Sequence, residues 1–235
     1  QLSEPICVNN FNPKIISEWI TKRQRKYPIF NNAYMMTGTH HLYNYLPTKH
    51  EKWLTMIKQE IIDSGLIIDI LNAKTMEAVF RLLQGCSFLG SFLAYQYTID
   101  MNYSPYINFS ENDFVKAGIG AIRGIKKCFL CYGNKCEDAI WYVKEHFNDL
   151  LKRYGYTSFH PLPGHEPTLI DLQNCFCETD KYLRAKMPEL RIGNVRIKQK
   201  YMPHTDPIQF FFPPKWNIVE MYKYKPIVVP TLFDL

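Results

Sequence analysis

Apolar residues recur at helical spacing along most of the first 186 positions. Several helices have recognisable starts, since Thr48 and Glu51 form a capping-box pattern and Ser110 and Thr168 stand as N-caps. The pattern predicts an all-α body of roughly eight helices. The predicted helices cover residues 15–26, 48–65, 75–83, 89–101, 136–154 and 168–186. Another begins at residue 110, and residues 118–129 either continue it or form a helix of their own.

Proline changes the pattern after residue 186. Seven of the fifteen prolines lie between Pro188 and Pro230, where they mix with aromatic residues such as Phe210, Phe212 and Trp216. Proline has no backbone N–H and breaks regular helix. We therefore divide the chain into a helical domain, 1–186, and an irregular C-terminal arm, 187–235, that lies over the body or over a protein partner.

The composition is that of a globular protein and suits an anionic partner. Hydrophobic residues make up 46% of the chain and charged residues 21%, which excludes a disordered protein. No apolar run approaches the length of a membrane span, so no membrane partner is expected. Lys and Arg exceed Asp and Glu by 28 − 22 = 6, as DNA binding favours. Seven cysteines without a visible secretion signal predict reduced thiols and an intracellular location, nuclear if the source is eukaryotic.

A turn between two predicted helices is the first candidate site. Gly90 and Ser91 begin the second helix of this hairpin, and small residues there let backbone N–H groups approach a phosphate. Phe88 stands where a DNA-binding hairpin would carry a second glycine. The alternative is a tight turn that only packs two helices together.

A second candidate is the glycine series Gly118, Gly120 and Gly124. It is not a dinucleotide-binding fingerprint, because the spacing differs and no strand precedes it. It predicts either an anion-binding loop or a close crossing of two helices. Cations that could serve an anion follow within the same stretch, at Arg123, Lys126 and Lys127.

Two further candidates carry carboxylates. Glu178, Lys181 and Arg184 recur at three-residue spacing on the last predicted helix. They could form a site that binds a phosphate and accepts the proton of a nucleophile, or they could be a solvated row of structural ion pairs. Asp100 near the end of another helix could act as a base or only cap the helix. Arg196 extends the basic strip beyond Arg184.

The sequence gives little support for a zinc site or for the motifs of the commonest kinases and hydrolases. Cys128, Cys131 and Cys136 offer three zinc ligands, but no second pair with the usual spacing follows, and we predict no metal or other cofactor. A phosphate-binding P-loop is absent, as are the nucleophile elbow of hydrolases and the paired histidines of metalloproteases.

Three blocks in this order resemble a known family. They are FLAYQYTID at 92–100, DFVKAGIGA at 113–121 running on to Arg123 and Gly124, and Cys177-Glu178 followed by Lys181, Tyr182 and Arg184. They resemble the α-glutamyl/putrescinyl thymine pyrophosphorylase family, also met as the helical domain of 5-hydroxymethyluracil DNA kinases. The similarity spans roughly residues 19–201.

The resemblance implies a fold related to helix–hairpin–helix DNA glycosylases and a role on DNA with hypermodified thymine. The implied reaction replaces a pyrophosphate on the thymine 5-methylene group with an amine. The implied site residues are Asp100, Arg123, Glu178, Lys181 and Arg184, with Lys181 and Arg184 on the pyrophosphate and a carboxylate as the base.

Two alternatives to this group transfer stay open. One is a DNA glycosylase-like enzyme in which Asp100 is the key acid, although no lysine precedes the Gly90 hairpin where a lyase would place one. The other is a non-catalytic DNA-binding or scaffold module whose arm docks onto a protein. The sequence does not decide whether the chain is an enzyme.

Overall fold

The computed structural model describes residues 6–30, 35–191 and 212–218, and these form nine α-helices and no β-strand. The predicted all-α fold is confirmed for this part of the chain. No helix within it is long and apolar enough to cross a membrane. The helices are α1 Pro13–Gln24, α2 Lys49–Met56, α3 Leu66–Asn72, α4 Met76–Gln84, α5 Ser91–Asn102, α6 Ile119–Cys128, α7 Cys136–Glu145, α8 Phe147–Arg153 and α9 Leu169–Lys186.

Side-chain caps set several helix starts where the sequence predicts them. Thr48 accepts a hydrogen bond from the Glu51 N–H at the start of α2. At the start of α9, the Asp171 carboxylate accepts hydrogen bonds from the N–H and the hydroxyl of Thr168, at 2.8 and 2.9 Å. Such caps satisfy polar groups that the first helical turn leaves without partners.

The helix predicted from Ser110 is wrong. Residues 110–113 form a turn, in which the Ser110 hydroxyl accepts a hydrogen bond from the Asn112 N–H at 3.1 Å. Serine hydroxyls stabilise turns as readily as helix starts, so the residue alone could not separate the two. The chain then continues without regular structure to Gly118 and buries Val115.

Two other predicted helices are interrupted. The predicted helix 136–154 breaks at His146 into α7 and α8. The predicted helix 48–65 widens into a π-helical stretch, Ile57–Asp63, and ends at Gly65, whose φ of +81° is left-handed. The following apolar residues form the separate helix α3, because the left-handed glycine redirects the chain.

The core forms around α4 and α5. Met76, Val79, Phe80 and Leu83 recur on one face of α4 and are all buried. This spacing is the amphipathic pattern that drives a helix onto a core. Buried residues of α5 join the same cluster, including Ala94 and Tyr95. Residues 212–218 also lie against the body, through Trp216.

Helices α6 and α9 approach each other closely through glycine. A Cβ atom at Gly124 would collide with the Phe176 backbone carbonyl, and one at Gly120 would collide with the Cys177 side chain. The glycines therefore bring one backbone against the other. The close helix crossing that the sequence left open is confirmed.

The hairpin before α5 adopts a left-handed backbone conformation at Phe88, the position where a DNA-binding hairpin would carry a second glycine. Phe88 has a φ of +67°, a left-handed conformation that costs a non-glycine residue roughly 1–2 kcal/mol. Its ring is buried, stacks on Trp53 at 5.2 Å between centroids, and lies 5.5 Å from the Tyr43 ring. Aromatic burial offsets the backbone strain, so the turn forms although the expected glycine is missing.

Replacing Gly124 with alanine should separate α6 from α9. The new methyl group meets backbone rather than a movable side chain, so we expect Gly124→Ala to lower the free energy of unfolding by about 2 kcal/mol or more. Urea denaturation monitored by circular dichroism measures this change.

Gly38→Ala is the matched control for that variant. A Cβ at Gly38 would meet only the Lys49 side chain, at an ordinary contact distance of 3.6 Å. If both variants unfold at the same urea concentration as the parent, the α6–α9 contact does not depend on glycine.

Candidate functional site

The N-terminal ends of α5 and α6 lie side by side. A Cβ placed at Gly118, the N-cap of α6, would be 3.2 Å from the ring of Phe92 in the first turn of α5. The Gly118 N–H donates to the side-chain oxygen of Gln173 on α9, at 3.2 Å. The two glycine motifs that the sequence singled out separately therefore meet. We call residues 90–92 and 118–120 the paired helix ends.

Neither of the paired helix ends has a side-chain cap. Gly90 and Gly118 occupy the N-cap positions, and glycine has no side-chain oxygen with which to cap the first helical N–H groups. Ser91, Phe92 and Ile119 are exposed. Each helix start also carries the positive end of a helix dipole. Together these groups can donate hydrogen bonds to a phosphate.

Glu60 anchors the hairpin that leads into α5. Its carboxylate accepts hydrogen bonds from the Ser87 N–H at 2.7 Å and from the Tyr43 hydroxyl at 2.5 Å. Burial by itself would raise the pKa of Glu60, but the hydrogen bonds from Ser87 and Tyr43 hold the pKa below its usual value. The charged carboxylate thus fixes the turn that positions Gly90.

The cations predicted on α6 separate into two environments. Arg123 is half-buried and Lys126 is exposed, so both remain near enough to solvent to meet an anion. Lys127 instead directs its ammonium group into the α6–α9 contact, where its side chain is only 2% exposed. Of the three predicted cations on α6, only Arg123 and Lys126 are therefore accessible to an anion.

A buried ion cluster joins α6 to α9. Lys127 Nζ lies 2.6 Å from one Asp180 oxygen, and Arg184 Nε lies 3.1 Å from the other. The Asp180 side chain is 1% exposed and that of Arg184 is 10% exposed. We call these residues the buried triad. Both cations neutralise one carboxylate, as buried charges require.

The sequence interpretation missed the central member of this triad. Asp180 lies four and seven positions after Phe176 and Gln173, which face α6, so helical periodicity could have placed it inward. An aspartate among exposed charged residues gave no compositional sign of burial.

Glu178 and Lys181 form a separate pair at the surface. Their side chains are exposed and lie within ion-pair distance at i,i+3 spacing. The predicted trio therefore occupies two environments, because Arg184 lies against Asp180 while Glu178 and Lys181 face solvent. Gly120 lies against Cys177, so the surface pair begins next to the paired helix ends.

The remaining predicted residues lie apart or outside the described chain. Asp100 is exposed in the last turn of α5, where desolvation raises its pKa and makes it a better proton acceptor. Arg196 lies outside the described residues.

Within the described ranges, no three His, Cys, Asp or Glu residues approach closely enough to hold a metal. Burial raises the pKa of the Cys128 and Cys136 thiols.

Comparison with known proteins gives one match. Residues 1–192 match the family model described as "5-hmdU DNA kinase, helical domain". Neither a curated protein nor a solved structure matches. The matched range contains α1–α9 and every predicted site residue except Arg196.

The buried triad should matter far more to stability than the surface pair on the same helix. Asp180→Asn leaves the Lys127 and Arg184 charges buried without a carboxylate, and we expect it to lower the free energy of unfolding by about 3 kcal/mol. Urea denaturation at pH 7 tests this expectation.

Glu178→Gln is the control, because it also removes one carboxylate charge from α9 but at an exposed i,i+3 pair. We expect little change in unfolding free energy, as is usual for surface pairs. Equal effects of the two substitutions would contradict the structural role of the triad.

Proposed function

Because the chain belongs to the family of the 5-hmdU DNA kinase helical domain, we propose that it binds DNA and transfers an amine onto a modified thymine in it. The family places the protein in thymine hypermodification. DNA binding and the amine transfer are the parts that we propose. The observation that carries the proposal is the meeting of the α5 and α6 N-termini at Phe92 and Gly118.

Phosphate is the ligand that suits the paired helix ends. Their uncapped helix starts and two helix dipoles favour an anion, and the DNA backbone offers one phosphate after another. Arg123 lies in the second turn of α6, and Lys126 lies in its last turn. The chain as a whole carries a formal net charge of +6, which favours association with DNA.

The proposed reaction uses the surface pair that begins beside the paired helix ends. The amine nitrogen bonds to the 5-methylene carbon of the base, the carbon–oxygen bond to pyrophosphate breaks, and pyrophosphate leaves with the electron pair. Glu178 or Asp100 accepts the proton that the amine loses. Lys181 contacts the pyrophosphate, and the base leaves the helical stack to reach them.

Arg184 receives a different role from the one that the resemblance implies. Its guanidinium is buried beside Asp180 of the same helix, so we assign it to neutralising the carboxylate that Lys127 of α6 also binds, rather than to direct contact with pyrophosphate. A pyrophosphate that bound Arg184 would have to compete with the Asp180 carboxylate for the guanidinium.

Ser91→Asp should weaken DNA binding without weakening the fold. The added carboxylate is favourable at a helix start but repels a phosphate there. We expect binding to a short duplex at low salt to fall about tenfold, the factor of a 1.4 kcal/mol loss. Fluorescence anisotropy at two salt concentrations measures it, and the affinity of the parent protein should fall steeply with salt.

Asn148→Asp is the matched control, because it adds the same charge at the start of α8, another exposed helix end. If the two variants bind DNA equally, the paired helix ends are not the phosphate site. Two results for the parent protein would contradict the proposed DNA function: a DNA affinity that does not change with salt, or no detectable DNA binding at low salt.

Glu178→Gln should separate catalysis from binding. We expect the variant to bind DNA like the parent but to yield at least tenfold less aminated nucleoside, because it lacks the carboxylate that accepts the proton. Nucleoside mass spectrometry on DNA containing the pyrophosphorylated base measures the product. Asp100→Asn is tested in parallel, and full product from both variants would show that neither carboxylate is the base.

A further inference from the structure

A cavity lies between α1 and α2, and no described residue of the paired helix ends or the surface pair lines it. Its volume is about 440 Å³, within the range of pockets that hold small ligands. Its described lining is mostly aromatic and aliphatic and includes Trp19, Phe30, His50 and Trp53. Trp19 is exposed, so the cavity opens to the surface. We call this space the N-terminal cavity.

Cations stand at the mouth of the N-terminal cavity. Arg23 lines it from the last turn of α1 and is exposed, with its guanidinium 5.8 Å from the centre of the Trp19 ring and 5.0 Å from that of Tyr27. A guanidinium over aromatic rings keeps the N–H donors at its edge for a phosphate. Three further exposed cations flank it in the sequence: Lys22, Arg25 and Lys26. The mouth therefore attracts an anion.

The interior of the cavity is uncharged. Burial lowers the pKa of His50, and the charge of Glu51 offsets only part of this effect, so the imidazole is neutral at pH 7. His50 Nε2 lies 3.1 Å from the hydroxyl oxygen of Thr21. None of the described residues that line the cavity is an aspartate or a glutamate. Such an interior suits a neutral planar ring, whereas a charged group would lose its hydration there.

One wall of the cavity is shared with the hairpin that leads into α5. Trp53 lines the cavity, and its ring stacks on Phe88 at 5.2 Å between centroids. Phe88 precedes Gly90 by two residues, a span of at most about 7 Å. The cavity therefore lies close enough to the paired helix ends for one DNA strand to reach both.

We propose that the N-terminal cavity binds an unpaired nucleotide of a DNA strand whose backbone runs on to the paired helix ends. The base enters the apolar interior and packs on Trp19, and its phosphate contacts Arg23. Aromatic stacking beside a cationic track is how proteins hold single strands with little regard to sequence. This role rests on the proposed DNA binding.

The nucleotide in the cavity is a neighbour of the reacting one. The proposed amine transfer needs a carboxylate that accepts a proton, and the described lining of the cavity offers none. Holding a neighbouring nucleotide fixes the position of the strand and opposes its return to the stacked duplex. The cavity thus positions the DNA without taking part in bond making or breaking.

Fluorescence anisotropy with two labelled single strands of equal length tests the site. One strand is an oligothymidylate, and the other has the same backbone but carries no bases. We expect the parent protein to bind the oligothymidylate about tenfold more tightly, because only that strand offers a base to the cavity. Trp19→Ala should remove most of this preference, whereas Tyr106→Ala, which removes an exposed ring elsewhere, should retain it.

Arg23→Gln separates the cation of the cavity from the general positive charge of α1. We expect it to weaken oligothymidylate binding about tenfold, through loss of the phosphate contact at the mouth. Arg25→Gln is the matched control, because it removes the same charge two residues away but Arg25 does not line the cavity. Its effect should be clearly smaller.

Three results would overturn the proposal. They are equal affinity of the parent for the two strands, an undiminished preference in Trp19→Ala, and saturable binding of thymidine 5′-monophosphate that Trp19→Ala abolishes while the strand preference persists. The last result would make a free nucleotide the ligand. Ser91→Asp should weaken both strands alike and leave their ratio unchanged. Loss of the ratio alone therefore contradicts the cavity, whereas failure of the parent to bind either strand contradicts the proposed function and the cavity with it.

Discussion

The contact between α6 and α9 is the constraint on which the candidate site depends. Gly120 and Gly124 let the helix backbones approach, and this closeness lets Lys127 reach Asp180 in the interior. The same contact places Gln173 at the start of α6, where its side-chain oxygen accepts from the Gly118 N–H. Larger residues at the glycine positions would separate the helices and take Lys127 away from the buried Asp180 carboxylate.

The molecule separates opposite charges along α5. At the start of the helix lie the paired helix ends, which suit phosphate, and around its end lie the carboxylates of Glu111, Asp171 and Asp100, which add to burial in raising the pKa of the Tyr103 hydroxyl. Twelve helical residues place these regions about 16 Å apart.

Aromatic packing supports both ends of this arrangement. Phe88 holds the hairpin before α5 in a left-handed conformation because its ring stacks on Trp53. At the other end, Trp216 attaches the arm by stacking on His165 and by its hydrogen bond to Glu111. Large buried rings supply enough free energy to stabilise a strained turn or to hold a short segment that makes little regular structure of its own.

The sequence by itself determined the all-α class, most helix positions and the caps at Thr48 and Thr168, because apolar periodicity and capping are local properties. It also identified the glycine motifs, but not that they meet. Only tertiary structure decided that Phe88 replaces a glycine, that Ser110 begins a turn, and that Asp180 rather than Glu178 faces inward with Arg184. These outcomes depend on partners distant in sequence, since burial and the pairing of charges arise only when helices pack.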